Sequence, residues 1–176
     1  MSQDSWLFIN SFAPWLSAVG TIAAVVATIY FAKRGERVRL KISAGHRLLV
    51  GQGMPEPFPE YLCIRVVNIG YRDTNVKNIG WKVRLFKKRY AVQNIVQNQF
   101  SSKLPVLLRQ GEEVNYLIPI NKETNWLKRF CLDMLMPNPQ VHIHFVKIWV
   151  TTSVGITFES KIESSLKKKL KELIDT

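Results

Sequence analysis

The chain has 176 residues and a formal net charge of +12 at neutral pH, from 25 Lys and Arg against 13 Asp and Glu. An apolar content of 47% supports one folded domain and excludes a disordered or collagen-like chain. Two cysteines without CxxC spacing argue against a disulfide-stapled secreted domain and against a zinc module.

The first element is an uncharged apolar segment of transmembrane length. Positions 5–32 carry no charged side chain, and we predict a membrane-spanning helix over about residues 12–32. Ser11 is the expected cap, with Pro14 in the first turn, where a missing N–H is tolerated. Aromatic rings that favour the headgroup level lie near its two ends, at Trp15 and Tyr30. A buried core helix is the alternative, although such helices seldom lack a polar stripe.

Positive charge follows the apolar segment and predicts its orientation. Asp4 is the single charge before it, whereas five basic residues follow closely: Lys33, Arg34, Arg37, Arg39 and Lys41. The positive-inside rule places the N-terminus outside and the remaining chain in the cytoplasm. A cleaved signal peptide has the opposite polarity, so we expect the span to be retained. These basic residues are predicted to contact anionic lipid.

Small residues recur along one face of the predicted span, at Gly20, Ala24 and Thr28. Such a stripe allows two helix backbones to approach closely, which predicts self-association through this face. The alternative interpretation is that these three residues face lipid and do not mediate helix packing.

Residues 38–159 are predicted to form a β-rich domain. Strands are expected over 38–44, 61–68, 76–86, 91–97, 113–120, 141–152 and 156–158, and one helix over 121–137, stopped by prolines. Short strands with few helices favour an antiparallel β-sandwich or small barrel. The predicted organisation is a membrane segment at 1–37, the β-domain at 38–159 and a basic amphipathic helix at 160–176.

A basic surface is predicted where the third strand ends. If Trp81, Val83 and Leu85 point inward, Lys82 and Arg84 point outward. A turn beside them adds three more charges, at Lys87, Lys88 and Arg89. These five basic residues predict contact with an acidic partner, nucleic acid being one candidate; a solvated, solubilising face is the alternative. Gly80 is a candidate bulge position.

The C-terminal helix combines an apolar stripe with a lysine cluster. The stripe consists of Ile162, Leu166, Leu170 and Leu173, and lysines at 167–169 and 171 lie around the other faces. Docking on the sandwich, on acidic lipid and on nucleic acid are all compatible with this pattern.

The motifs of enzymes and metal sites are missing from the sequence. His142 and His144 would share one face of the strand expected at 141–152, but no HExxH, CxxC or acidic cluster completes a ligand set. Cys63 and Cys131 lie in apolar patterns and are interpreted as core residues. No nucleophile elbow or phosphate-binding loop occurs. We therefore predict no catalytic residue, no metal site, no cofactor and no enzymatic activity.

Residues 62–72 (LCIRVVNIGYR) and 76–83 (VKNIGWKV) carry a resemblance, which continues at Leu104-Pro105 and 108–112. This pattern is similar to that of small bacterial proteins with one N-terminal span and a β-sandwich. Some proteins of this build resemble transmembrane effectors of anti-phage defence systems, including retrons. The resemblance implies a non-enzymatic, toxin-like effector in the bacterial inner membrane, held inactive by a cytoplasmic protein or nucleoprotein partner. A membrane tether or scaffold whose basic β-domain binds a protein or nucleic acid is the other functional class.

Overall fold

The structure is a computed structural model that describes residues 3–35, 37–51, 53, 56–84, 88–95, 101–120 and 125–175. The chain divides into two compact units, Met1–Arg37 and Val38–Thr176. The predicted C-terminal segment 160–176 therefore belongs to the same unit as the strands.

The first unit is one long helix, α1 (Gln3–Gly35). Its part from Ser11 to Lys33 is long and apolar enough to cross a membrane, and every side chain of that part is exposed. The predicted cap at Ser11 is wrong, because the helix already begins at Gln3 and Pro14 lies inside it. Proline removes a single backbone hydrogen bond, and apolar helices of this kind tolerate that loss.

The second unit contains eight strands among its described residues. They are β1 (Leu40–Leu48), β2 (Glu60–Asn68), β3 (Thr74–Arg84), β4 (Lys88–Val92), β5 (Val106–Leu108), β6 (Glu113–Pro119), β7 (Val146–Thr152) and β8 (Thr157–Lys161). One sheet has the order β1-β2-β6 and the other β4-β3-β7-β8, with β5 pairing the start of β3. All these pairings are antiparallel.

The inward-facing residues of both sheets form one hydrophobic core. Ile42 and Ala44 of β1 are buried, as are Ile64 of β2 and Ile148 of β7. These positions alternate with more exposed ones, as the period of a half-buried strand requires. The predicted antiparallel, mainly β fold is confirmed, and the described strands form two sheets rather than a closed barrel.

Short helical turns cover one end of the core: α2 (Trp126–Phe130), a π-helical turn (Cys131–Leu135), α3 (Pro139–His142) and a 3₁₀ turn (Ile143–Phe145). The helix predicted before Pro137 is confirmed over 126–135, and residues 121–124 lie outside the described part. Trp126 stacks on Phe130 with ring centroids 5.0 Å apart, and Trp81 meets Phe130 edge-on at 5.3 Å. The Gln93 side-chain oxygen accepts hydrogen bonds from both indoles, at 2.8 and 3.3 Å.

The strand predicted over 141–152 starts at Val146 instead. Pro139 occupies the first turn of a helix, a position that proline favours, so His142 and His144 lie in helical turns and not on a strand face. His142 Nδ1 lies 2.6 Å from the Leu135 carbonyl oxygen. The two-histidine strand face expected from the sequence does not form.

Two further expectations around β3 are corrected. The strand predicted over 91–97 is found at Lys88–Val92, where it pairs with the end of β3; positions 96 and 97 lie outside the described residues. The bulge lies between Val76 and Asn78 rather than at Gly80. A Cβ at Gly80 would overlap the Ala91 carbonyl oxygen and the Trp149 ring, so glycine is required there for close packing.

The chain ends in α4 (Ser164–Ile174), which packs on the sandwich. Leu166 and Leu170 are fully buried, and Ile162 just before the helix is 4% exposed. Leu173, a member of the predicted apolar stripe, is 39% exposed, whereas Ile174 packs against the core. Docking on the sandwich is therefore the arrangement that α4 adopts.

A basic and aromatic sheet face as the candidate functional site

Register places one row of side chains across the outer face of the larger sheet. Lys82 of β3 lies opposite Tyr90 of β4 on one side and opposite Lys147 of β7 on the other. Lys147 in turn lies opposite Lys161 of β8. Neighbouring strands are about 4.8 Å apart, so three lysines stand side by side. We call this outer surface of β4, β3, β7 and β8 the basic sheet face.

The rows on either side extend the same surface. Arg84 pairs with Lys88, and the other row contains Val92, Gly80, Trp149 and Glu159. Glu159 is the one carboxylate that the register places on this face among the described residues. Five basic side chains against one acidic side chain leave an excess of four positive charges.

Glu159 forms ion pairs with two lysines of the row, Lys82 and Lys147, the second at 3.2 Å. The hydrogen bond from Lys82 holds the pKa of Glu159 below its usual value, and the same bond raises the pKa of Lys82. Both groups are therefore charged at neutral pH. Within the described part of the chain, Arg84, Lys88 and Lys161 have no carboxylate at ion-pair distance.

Two aromatic side chains lie among these charges. Tyr90 is 58% exposed, and Lys82 Nζ lies 5.6 Å from the centre of its ring. The Trp149 indole lies across β3, directly over Gly80, and its Nε1 donates to the Trp81 carbonyl oxygen at 3.1 Å. The missing Cβ of Gly80 thus lets the indole rest against the backbone.

The structure brings together three of the five basic residues predicted for a partner: Lys82, Arg84 and Lys88. Arg89 lies apart from them, because this residue belongs to β4, lies opposite the buried Val83 and donates to the carbonyl oxygens of Met134 and Met136. Lys87 lies outside the described residues. Sequence reasoning missed the contribution of Lys147, Lys161, Tyr90 and Trp149. The alternation within β7 and β8 was the available signal, but only the register shows which rows meet.

The residues predicted for the membrane segment lie on α1 and just after it. Trp15, Gly20, Ala24, Thr28 and Tyr30 are all exposed in this chain. The Thr28 hydroxyl donates to the Ala24 carbonyl oxygen at 2.8 Å, so its polar group is satisfied within the helix. Of the five basic residues, Lys33, Arg37, Arg39 and Lys41 are exposed, and the Arg34 side chain lies outside the described part.

A second cluster of charges occupies a cleft of about 280 Å³ on the outer face of the smaller sheet. Arg47 pairs with Glu163 at 2.6 Å, and Arg65 pairs with Glu113, whose pKa is lowered by this hydrogen bond. Cys63 lies between the pairs, and burial raises the pKa of its thiol. The cleft therefore presents satisfied ion pairs and a protonated thiol, not an activated nucleophile.

No group of three or more His, Cys, Asp or Glu side chains in the described part of the chain is placed to hold a metal ion. Burial raises the pKa of Cys131 to about 11, as expected for a core thiol. The absence of enzymatic activity stays a prediction.

Comparison with known proteins assigns no family. No family model and no curated protein matches the chain. A Bordetella pertussis protein called ApaA is 17% identical over 72% of this chain and 89% of its own, with a TM-score of 0.33. The structural genomics target SoR45 is 9% identical over 73% of this chain and 84% of its own, with a TM-score of 0.32. At these values neither structure assigns a function to this chain.

Proposed function

We propose that this protein is a non-enzymatic, membrane-anchored effector of bacterial anti-phage defence. In this proposal α1 spans the inner membrane once, with the N-terminus outside and the β-domain in the cytoplasm. A cytoplasmic protein or nucleoprotein partner holds the effector inactive, and its release or clustering perturbs the membrane.

The observation that carries the membrane role is the exposed apolar helix of 23 residues from Ser11 to Lys33. At about 1.5 Å per residue it is roughly 34 Å long, enough for a hydrocarbon core of about 30 Å. Every Lys and Arg of the chain lies at or after Lys33, the last residue of this segment, which favours a cytoplasmic β-domain. The sequence pattern at 62–83 supports the defence role, by resemblance alone.

The basic sheet face supports the partner role. Its excess of four positive charges favours an acidic surface, and its outer position leaves it available to a macromolecule. Self-association through Gly20, Ala24 and Thr28 would allow spans to cluster when the partner leaves.

A membrane tether or scaffold is the second candidate, favoured by the same face. In that case the β-domain holds a protein or nucleic acid next to the bilayer, and the membrane stays intact. The two candidates share the anchor and the acidic partner, and they differ in what happens to the membrane.

Expression of the chain alone in bacteria, with growth and membrane potential recorded, separates the two candidates. A matched pair of variants tests the span: Val25→Asp places a charge at its centre, which costs about 3 kcal/mol of insertion free energy, whereas Val25→Leu keeps it apolar. Depolarisation by the native chain and by Val25→Leu, but not by Val25→Asp, supports the effector. Normal growth and potential with retained binding of an acidic partner support the tether. Full activity of a chain that stays out of the membrane contradicts both.

A further inference from the structure

We propose that the basic sheet face binds single-stranded nucleic acid, with unpaired bases stacked on Tyr90 and Trp149 and phosphates against the lysine row. This inference rests on the proposed function, because it names the acidic partner of the same surface. The inference adds to the proposed function the class of ligand, the binding mode and the contact residues.

The charges are arranged in a grid that suits a chain of phosphates. Lys82, Lys147 and Lys161 follow one another across the sheet at the strand spacing of about 4.8 Å. Arg84 lies two residues beyond Lys82 along β3, about 7 Å away. Three of the five cations, Arg84, Lys88 and Lys161, have no ion-pair partner among the described residues and remain available to phosphate oxygens.

The Glu159 carboxylate lies within this group of positive charges and fixes the positions of two of its lysines. Glu159 holds the ammonium groups of Lys82 and Lys147 in place and partly offsets the repulsion between neighbouring lysines. A single carboxylate cannot offset five cations, so an incoming polyanion still gains from this surface and releases its own counterions.

The aromatic rings distinguish a single strand from a duplex. Base stacking on a side chain requires an unpaired base, since the bases of a duplex already stack on one another. The Trp149 indole is held against β3 by its bond to the Trp81 carbonyl oxygen and by its position over Gly80, so its orientation is fixed before a ligand binds. Tyr90 lies in the lysine row with more than half of its surface exposed.

The same geometry argues against the other polyanions. Aromatic residues that bind a lipid surface insert into the headgroup layer, and the Trp149 indole is instead bonded through its Nε1 to its own sheet. An acidic protein surface would match the lysines and leave the rings without a specific contact. Anionic lipid and acidic protein are therefore outcomes of the test below.

The test uses the full-length protein in phosphatidylcholine nanodiscs, which are free of detergent and leave added vesicles intact. Fluorescence anisotropy measures binding of short labelled oligothymidine and oligouridine, of a duplex of equal length, of polyglutamate and of phosphatidylglycerol vesicles, over a salt titration. We expect at least one single strand to bind more tightly than duplex and polyglutamate, with affinity that falls as salt rises.

Two matched substitutions assign the contacts. Tyr90→Leu is expected to weaken single-strand binding by about 5- to 150-fold, the range for losing one stacked base, whereas Tyr90→Phe keeps the ring and the affinity. Lys161→Glu is expected to weaken binding and to reduce the salt slope by at least about one. Lys128→Glu makes the same charge change on α2, at the inner side of the sheet, and is the control. Since Tyr90 and Lys161 are exposed, these variants keep the core intact.

Three results would overturn the inference. They are equal affinity for single strand and duplex, tighter binding of vesicles or polyglutamate than of either single strand, and no effect of Tyr90→Leu. If polyglutamate or vesicles bind through Lys161 while single strands do not, the acidic-partner role stands and the nucleic-acid inference fails. If Lys161→Glu and Lys128→Glu behave alike for every probe, the basic sheet face is not the partner site and the proposed function loses its support from that face as well.

Discussion

Replacement of Leu170 by alanine is predicted to destabilise the β-domain far more than the same replacement at Leu173. Both residues lie on α4 and lose the same atoms, but Leu170 is 0% exposed and Leu173 is 39% exposed. Alanine has the higher helix propensity in both places, so a loss of stability reports packing rather than helix formation.

The size of the effect follows from burial. Full burial of a leucine side chain contributes about 1.5 to 3 kcal/mol, and the cavity left by truncation raises the cost of Leu170→Ala to about 3 to 5 kcal/mol. Leu173→Ala opens no closed cavity and should cost about 1 kcal/mol. Against a domain stability of about 5 to 15 kcal/mol, the loss expected for Leu170→Ala is a large fraction and the loss expected for Leu173→Ala a small one.

Urea unfolding of the full-length protein in uncharged detergent provides the assay, followed by the fluorescence of the buried Trp81 and its neighbour Trp126. If unfolding free energy depends on urea concentration with a similar slope in both variants, the difference between their urea midpoints multiplied by that slope gives the difference in unfolding free energy. We expect a difference of at least about 2 kcal/mol. Equal midpoints for Leu170→Ala and Leu173→Ala would refute the docking of α4 on the sandwich.

Three further predictions concern other parts of the molecule. Gly20→Leu is expected to weaken crosslinking between spans while membrane insertion is kept, with Val19→Leu as the neighbouring control; unchanged crosslinking would assign Gly20 to lipid contact. Partial burial opposes ionisation of Glu60, yet its contacts with Lys169 and His46 hold its pKa below 4.5. The stability that these two contacts contribute is therefore present above pH 4.5 and is lost as the pH falls below that value. Glu60→Gln should flatten this acid dependence of the urea midpoint, and an unaltered profile would contradict the assignment. With a pKa of about 11, Cys131 should resist thiol reagents at neutral pH until the domain unfolds, and rapid labelling of the folded protein would count against its burial.

The strands with a clear period of two were predictable because one rule, apolar inward and polar outward, determines their faces. β1 and β2 follow it closely, and so does the middle of β3, where Ile79, Trp81 and Val83 are all buried. β5 was not predicted, since three residues are too few to establish a period. The start of β7 was misplaced because apolar residues continue into it from a helical turn that begins at Pro139.

The candidate site was only partly predictable for a different reason. The alternation of side chains along β3 placed Lys82 and Arg84 on the outer face of the sheet. The rest of that face, however, comes from strands that are distant in sequence. Lys147 and Lys161 join it only through the registers of β7 and β8, and Glu159 finds its lysines in the same way. Arg89 was expected in a turn, where β4 begins instead. Local pattern cannot determine such long-range register.

The location of the C-terminus tests the central claim most directly, because every proposed role requires the β-domain in the cytoplasm. Fusions of a periplasmic phosphatase and of a cytoplasmic fluorescent reporter to the C-terminus distinguish the two sides. We expect an inactive phosphatase, a fluorescent reporter and recovery of both fusions in the membrane fraction. Replacing Lys33, Arg34 and Arg37 by serine is expected to increase phosphatase activity, because these positive charges keep the C-terminal side of the span in the cytoplasm. An active phosphatase on the native chain would contradict both the effector and the tether.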